Sequence, residues 1–398
     1  MKSLELFSGA GGLAKGLELA GFSHTAFVEF NKHACASLRE NFDADKVFFG
    51  DIRNFDLGSI EDVDVVAGGP PCQPFSMGGK HQAHQDSRDM FPYCLRAIEK
   101  LAPKAFVFEN VKGLLRPSFD DYFQYILLRL AYPSFKAKTG QDWQEHLDGL
   151  RELSKLPYAG IRYDVSYQLL NAADYGVPQS RERVVIVGLR SDFGLEWSFP
   201  EPTHCEDRLL WDMCVTKAYW ARHGIPCPEN ILGNVAVSEV AAALVEQYGF
   251  FEPDLSPWQT VRDALYGVAD PREYHTIKDH FFRDGARTYP GHTGSDIDWP
   301  SKTIKAGGHG VPGGENMIRY PDGSVRYFTV FEAKRLQTFP DDFVIAGAWG
   351  EAMRQIGNAV PVVLAEAIGR QLANLLQKRH WPSLKSTMDR DCQKIGGF

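Results

Sequence analysis

The chain has 398 residues, 44% hydrophobic and 24% charged, with a formal net charge of −8. That composition belongs to a folded globular protein of about two domains and excludes a disordered chain. Seven cysteines, an odd number without a Cys-x-x-Cys pair, also exclude a disulfide-built secreted scaffold.

From the N-terminus, short β-rich runs alternate with helical stretches. Strands are expected at 4–7, 25–30, 47–49, 63–67, 105–108, 165–170 and 183–189, and helices at 12–20, 32–41, 90–100, 120–131 and 144–156. This alternation indicates an α/β fold with a doubly wound, mostly parallel sheet. Past about residue 190 the periodicity weakens and Pro, Gly, Trp and Tyr accumulate. Residues 285–325 are especially rich in turn formers, which suggests a separate, loop-rich domain. Helical character returns at 352–377, with 362–376 a long amphipathic helix, and the tail beyond 380 has no clear pattern. No apolar run approaches the roughly 20 residues that a membrane span needs. The first residues enter a strand directly, leaving no room for a signal peptide, so a reduced cytoplasmic protein with no membrane partner is expected.

The acidity is local. Residues 191–258 hold 3 Lys/Arg against 11 Asp/Glu, so the rest of the chain balances at 40 of each sign. The acidic segment is therefore not expected to lie along phosphates, while the remainder is not excluded from doing so.

The chemistry-bearing residues fall at strand ends. After the first strand, Phe7-Ser8-Gly9-Ala10-Gly11-Gly12-Leu13 precedes a helix, and its glycines permit a sharp turn and close approach to a nucleotide-like ligand. Gly9, Gly11 and Ala14 also fit a looser dinucleotide pattern. Glu29 ends the second strand, placed to accept from ribose hydroxyls, and Asp51 ends the third, facing an adenine amine. Cys72, in Gly68-Gly69-Pro70-Pro71-Cys72-Gln73, follows the fourth strand on a loop that the prolines stiffen. Free cysteine is more often buried and inert, but such a rigid frame favours a working thiol. Glu109 follows the fifth strand, where partial burial would raise its carboxyl and suit it to donate a proton. Arg181 and Arg183 share a face by alternation and could hold an oxygen-bearing ligand. His204, Cys205, Cys214, His223 and Cys227 match no zinc spacing, so no metal is expected.

These segments closely resemble the cytosine-5 DNA methyltransferases, over about 1–190 and 327–375. The marks are LELFSGAGGL (4–13), GGPPCQPFS (68–76), FENV (108–111), QSRERV (179–184), RLQTFP (335–340) and QIGNAVP (355–361). The resemblance implies a Rossmann-like S-adenosylmethionine-dependent methyltransferase fold with a smaller, loop-rich target-recognition domain. It divides the chain into a catalytic and cofactor-binding domain (1–190), a recognition domain (191–344, with DNA read by 259–334), a returning C-terminal helix (345–380) and a mobile tail (381–398). It also implies S-adenosyl-L-methionine as cofactor and double-stranded DNA as partner, with a cognate restriction endonuclease acting separately as the further partner that such a system would have. Cys72 would attack carbon 6 of a flipped-out cytosine, Glu109 would engage ring nitrogen 3, and Arg183 with Arg181 would hold the carbonyl oxygen.

By the same resemblance the cofactor would lie on Phe7, Ser8, Gly9, Ala10, Gly11, Gly12, Leu13, Glu29, Phe30, Asp51, Ile52, Pro70, Phe91, Asn358 and Val360, and 77–88 would form a mobile lid. Phe331 departs from the family's usual arginine, and 117–160 reads as an insertion. Two other readings stay open: a tRNA cytosine-5 methyltransferase, against which the long recognition region argues, and a non-catalytic DNA-binding paralogue, against which Cys72, Glu109 and Arg183 argue.

Overall fold

The computed structural model describes residues 1–71, 90–231, 235–306 and 316–377. Cys72, the expected lid at 77–88, the glycine-rich stretch 307–314 and the tail lie outside the described residues.

One seven-stranded sheet organises the N-terminal half: β1 (Lys2–Leu6), β2 (Ser23–Glu29), β3 (Val47–Phe49), β4 (Val65–Gly68), β5 (Ala105–Val111), β6 (Tyr163–Asn171) and β7 (Glu182–Arg190), in the order β3-β2-β1-β4-β5-β7-β6. Strands β1 to β5 run parallel, whereas β7 is antiparallel to both β5 and β6. Helices α1 (Gly12–Leu19), α2 (Lys32–Asn41), α3 (Phe91–Leu101), α4 (Asp120–Ala131) and α5 (Trp143–Leu153) follow in the chain. The central strands are buried on both faces, so they read as nearly unbroken apolar runs. Leu4, Leu6, Phe106 and Phe108 pack on one side with Leu95 and Ile98 of α3 and with Phe123 and Ile126 of α4. Segment 117–160, read as an insertion, thus adds two helices: α4 joins this core and Trp143 of α5 packs against it.

Short elements follow. Two-residue strands β8 (His204–Cys205) and β11 (Ser256–Pro257) pair with each other, as do β9 (Asn230–Ile231) and β10 (Val235–Ala236). They surround α6 (Glu206–Leu210), α7 (Ala218–His223) and α8 (Val237–Tyr248), and Leu209, Met213, Tyr219, Trp220, Ile231 and Val237 of this stretch form their own cluster. After α9 (Val261–Ala264), strands β12 (Ser295–Asp296), β13 (Met317–Arg319) and β14 (Val325–Tyr327) make a small sheet. Its core includes Val261, Ile304, Ile318 and Phe328. It is continuous with Ala10 and with residues of α10 (Val330–Leu336) and α11 (Trp349–Asn358). Phe331 itself is buried there.

The last helix, α12 (Val362–Gln377), returns to the second face of the large sheet, where Leu364, Ile368 and Leu372 meet Leu17, Val65, Val107 and Val187. Its axis lies very close to α1, because a Cβ on Gly16 would come within 2.4 Å of the Ala365 Cβ. The span Trp349–Gln377 reaches the length and apolarity of a membrane-crossing helix, which corrects the sequence expectation that no stretch does. Its most apolar window is 61% buried inside the protein, as a core helix would be.

Candidate active site

Parallel strands place their carboxyl ends along one edge of the sheet, and the reversed β7 brings its amino end to that same edge. This topology collects Phe7, Glu29, Gly68, Glu109 and Arg183 from widely separated sequence. They line a single cavity of about 840 Å³ together with Glu5, Ser8, Gly9, Gly12, Leu13, Phe30, Gly69, Pro70, Pro71, Asn110, Asn358 and Val360. That volume falls in the range of roughly 300–1,000 Å³ typical of small-ligand pockets.

The first wall is the loop between β1 and α1. Phe7, Gly9 and Gly11 all adopt positive φ, at 53°, 54° and 91°. At Gly9 no described residue lies within 4 Å of where a Cβ would be, which leaves room for a ligand against the backbone. Gly12 has the opposite reason for lacking a side chain, since a Cβ would sit 2.3 Å from the Val360 carbonyl oxygen. The Glu29 carboxylate fixes this wall. Its Oε2 accepts from the Gly9 amide at 2.8 Å, and its Oε1 accepts from Phe30 at 2.9 Å and Asn31 at 2.7 Å. A carboxylate offers about four acceptor positions, so about one is left for a ligand hydroxyl.

The second wall carries an ion pair. Strand β5 continues through Val111, so Glu109 lies within the strand instead of after it as the sequence suggested. Pairing of Val111 with Arg183 and of Glu109 with Val185 makes Glu109 and Arg183 diagonal neighbours on one face. Arg183 Nε reaches Glu109 Oε1 at 2.6 Å, and both side chains are only 11% exposed. The other carboxylate oxygen faces Gly69, whose Cβ would lie 3.4 Å from it. Asn110 turns the other way and donates from Nδ2 to the Pro70 carbonyl at 3.1 Å. It thereby ties β5 to the Pro-Pro loop two residues before Cys72. Sequence reasoning missed Asn110, although its place beside Glu109 in FENV was the available signal.

Arg181 corrects an expectation. It is 0% exposed and does not line the cavity. Its guanidinium donates to the carbonyls of Ile304 (3.1 Å), Gly357 (2.7 Å) and Ala359 (3.0 Å). Burial, with Arg183 beside it, holds its pKa well below the usual arginine range. Arg181 lies just before β7, and the carbonyls that claim it come from distant chain.

Asp51 is likewise absent from the cavity lining: it caps a short turn and pairs with Arg53 at 2.7 Å, which keeps its carboxyl below the usual range. Ile52 and Phe91 are buried in the core on the α3 side of the sheet. Ala10 is buried beneath the loop, and Gly11 packs toward Phe42, so neither lines the cavity. Conversely, the lining includes Glu5, Asn31, Glu351 and Arg354, none of which was singled out from sequence. Among the described residues, no group of three or more His, Cys, Asp or Glu is arranged to hold a metal ion.

The family model for C-5 cytosine-specific DNA methylase matches residues 1–139 and 135–374. The chain belongs to this family. It is 31% identical over 382 residues to Type II methyltransferase M.NgoMIV of Neisseria gonorrhoeae, covering 95% of this chain and 99% of that protein. It is 33% identical to Type II methyltransferase M.PspPI of Psychrobacter sp. (strain TA137), covering 94% and 79%. A crystal structure of S. pombe Dnmt2 methyltransferase superimposes with a TM-score of 0.56 at 18% identity, covering 95% and 98%, which shows the shared fold.

The protein is thus a DNA cytosine-5 methyltransferase of the bacterial restriction–modification type. The family uses S-adenosyl-L-methionine as methyl donor, and the residues present fit it. The open backbone at Gly9 and the unused acceptor capacity of Glu29 suit a nucleoside with an amino-acid arm.

Proposed function

We propose that the cavity binds S-adenosyl-L-methionine along the Phe7–Leu13 loop and receives a flipped-out cytosine against the Glu109–Arg183 pair, within a specific duplex sequence. When bound, the cofactor supplies an electrophilic methyl group. Glu29 takes a ribose hydroxyl, Phe7 and Phe30 flank the base of the cofactor, and Asn358 and Val360 close the methionine end.

Cys72 attacks carbon 6 of the cytosine as a thiolate, which makes carbon 5 nucleophilic. Glu109 hydrogen-bonds or protonates ring nitrogen 3, so charge is drawn away from the ring as the sulfur adds. Arg183 serves two purposes: it fixes the Glu109 carboxylate and offers its remaining donors to the cytosine carbonyl oxygen. Asn110 holds Pro70, two residues before Cys72, against the strand that carries Glu109. Once nucleophilic carbon 5 carries the methyl group, loss of its proton and departure of Cys72 restore the aromatic ring.

The observation that carries this reading is the nearly buried Glu109–Arg183 pair on the same cavity wall as the Pro70–Pro71 loop. Residues 259–334, rich in arginine and exposed aromatics such as Tyr274, Phe281 and Tyr289, read the DNA sequence. A cognate restriction endonuclease acts separately on the same sequence, in the cytoplasm.

The test uses a pool of duplexes containing 5-fluorocytosine, in which fluorine replaces the proton that must leave carbon 5. Incubation with S-adenosyl-L-methionine should trap a covalent protein–DNA adduct, and peptide mapping should place it on Cys72. Methylation without any trapped adduct, or an adduct on another residue, would overturn the assignment.

A further inference from the structure

The Arg181 cage joins two parts of the chain with different duties. Gly357 and Ala359 flank Asn358 at the carboxyl end of α11, and all three line the cavity. Ile304 belongs to the region between β12 and β13, and leads within two residues to Ala306, which also lines the cavity. These segments are pressed together, since a Cβ on Gly357 would come within 2.6 Å of the Ala306 amide nitrogen. Gln179 reinforces the contact, accepting from the Ile304 amide at 3.1 Å and donating to the Leu336 carbonyl at 3.2 Å. Lys305 is held in turn by Asn316, which accepts from its amide and donates to its carbonyl, both at 3.2 Å.

A guanidinium is a rigid fork, and this one is fully buried, with no carboxylate among its hydrogen-bond partners. Among the described residues its Nε has no partner, so three carbonyls carry the hydrogen bonding of the group. If either segment moved alone, a buried charge would lose acceptors it cannot replace. The two segments therefore share one set of positions.

We propose that Arg181 is a positioning residue that couples the two binding sites. It links the placement of Asn358 at the cofactor to the placement of residues 304–306, which lie within the proposed recognition region. Because coupling between sites is reciprocal, cofactor occupancy should bias duplex binding and duplex binding should bias cofactor affinity by the same factor.

Isothermal titration of S-adenosylhomocysteine, with and without a duplex carrying the methylated sequence, reads this factor. In the wild type the duplex should change the Kd by about five-fold or more, within the usual range for coupled sites. Arg181→Lys keeps the charge but replaces a three-carbonyl fork by a point donor, and should bring the change below about two-fold. Gly357→Ala leaves Arg181 intact while forcing residues 304–306 away, and should have the same effect. Circular dichroism establishes that each variant is folded.

Hydrogen exchange on the wild type needs no variant. S-adenosylhomocysteine alone should slow exchange at Ile304 and Lys305, which do not line the cavity. A wild-type Kd indifferent to duplex, a folded Arg181→Lys variant with wild-type coupling, or unchanged exchange at Ile304 and Lys305 would each overturn the proposal.

Discussion

Replacing Glu109 by Gln separates its electrostatic role from its shape. The substitution is isosteric, but it leaves Arg183 charged and only 11% exposed, without its anion. Removing one partner of a buried pair costs about 3–5 kcal/mol when nothing replaces it. The glutamine oxygen can still accept from Arg183 Nε, and a hydrogen bond to a charged group retains about 1.5–3 kcal/mol. The expected net loss is about 2 kcal/mol. With an unfolding entropy near 2.1 cal/mol/K per residue, the 398-residue chain should lose roughly 2–3 °C in Tm.

Scanning calorimetry of the wild type, Glu109→Gln, Arg183→Met and the double variant tests this. The double variant should be less destabilised than the sum of the singles by about 1 kcal/mol or more, since the groups touch. Its turnover should remain low, because general acid catalysis contributes roughly 10²–10⁴-fold. Additive effects on stability, or a Glu109→Gln variant with wild-type turnover, would refute the reasoning.

Other outcomes follow from the same geometry. Gly12→Ala drives a Cβ to 2.3 Å from the Val360 carbonyl, and should weaken S-adenosylhomocysteine binding at least about ten-fold by titration, equivalent to about 1.4 kcal/mol. Gly16→Ala forces α1 from α12 and should destabilise by about 1–3 kcal/mol in denaturant unfolding, the usual cost of overpacking. Burial raises the Asp174 carboxyl above its ordinary value, against the lowering effect of its bond from the Trp258 indole at 3.0 Å. A raised folded pKa gives stability that is fully present below the unfolded value and lost as pH rises through the folded one. Asp174→Asn keeps an acceptor for Trp258, so it should be more stable than wild type at neutral pH. That advantage should shrink as pH falls through the carboxylate range; urea unfolding across pH 4–8 would show it.

The large sheet was legible because buried parallel strands are written as apolar runs ending in residues that cannot be packing. Glu29 stands after Phe27 and Val28, and Glu109 after four apolar residues; both line the cavity. Helix 32–41 was readable to the residue, because Asn31 caps it through bonds to the amides of His33 and Ala34. What local pattern could not show was where distant chain returns. Arg181 looks like Arg183 in sequence, yet Ile304, Gly357 and Ala359 determine its environment. Asp51 follows a strand much as Glu29 closes one, but Arg53 two residues later takes its carboxylate. Lys334 carries no burial signal, and it is buried because the carbonyls of Asp341 and Phe343 close around its ammonium.

Bisulfite sequencing of genomic DNA from a host expressing the chain tests the central claim most directly. The wild type should protect cytosines at one short sequence throughout the genome, and Glu109→Gln should reduce that protection to near background. A wild-type genome without sequence-confined protection, or an undiminished pattern from Glu109→Gln, would contradict the account.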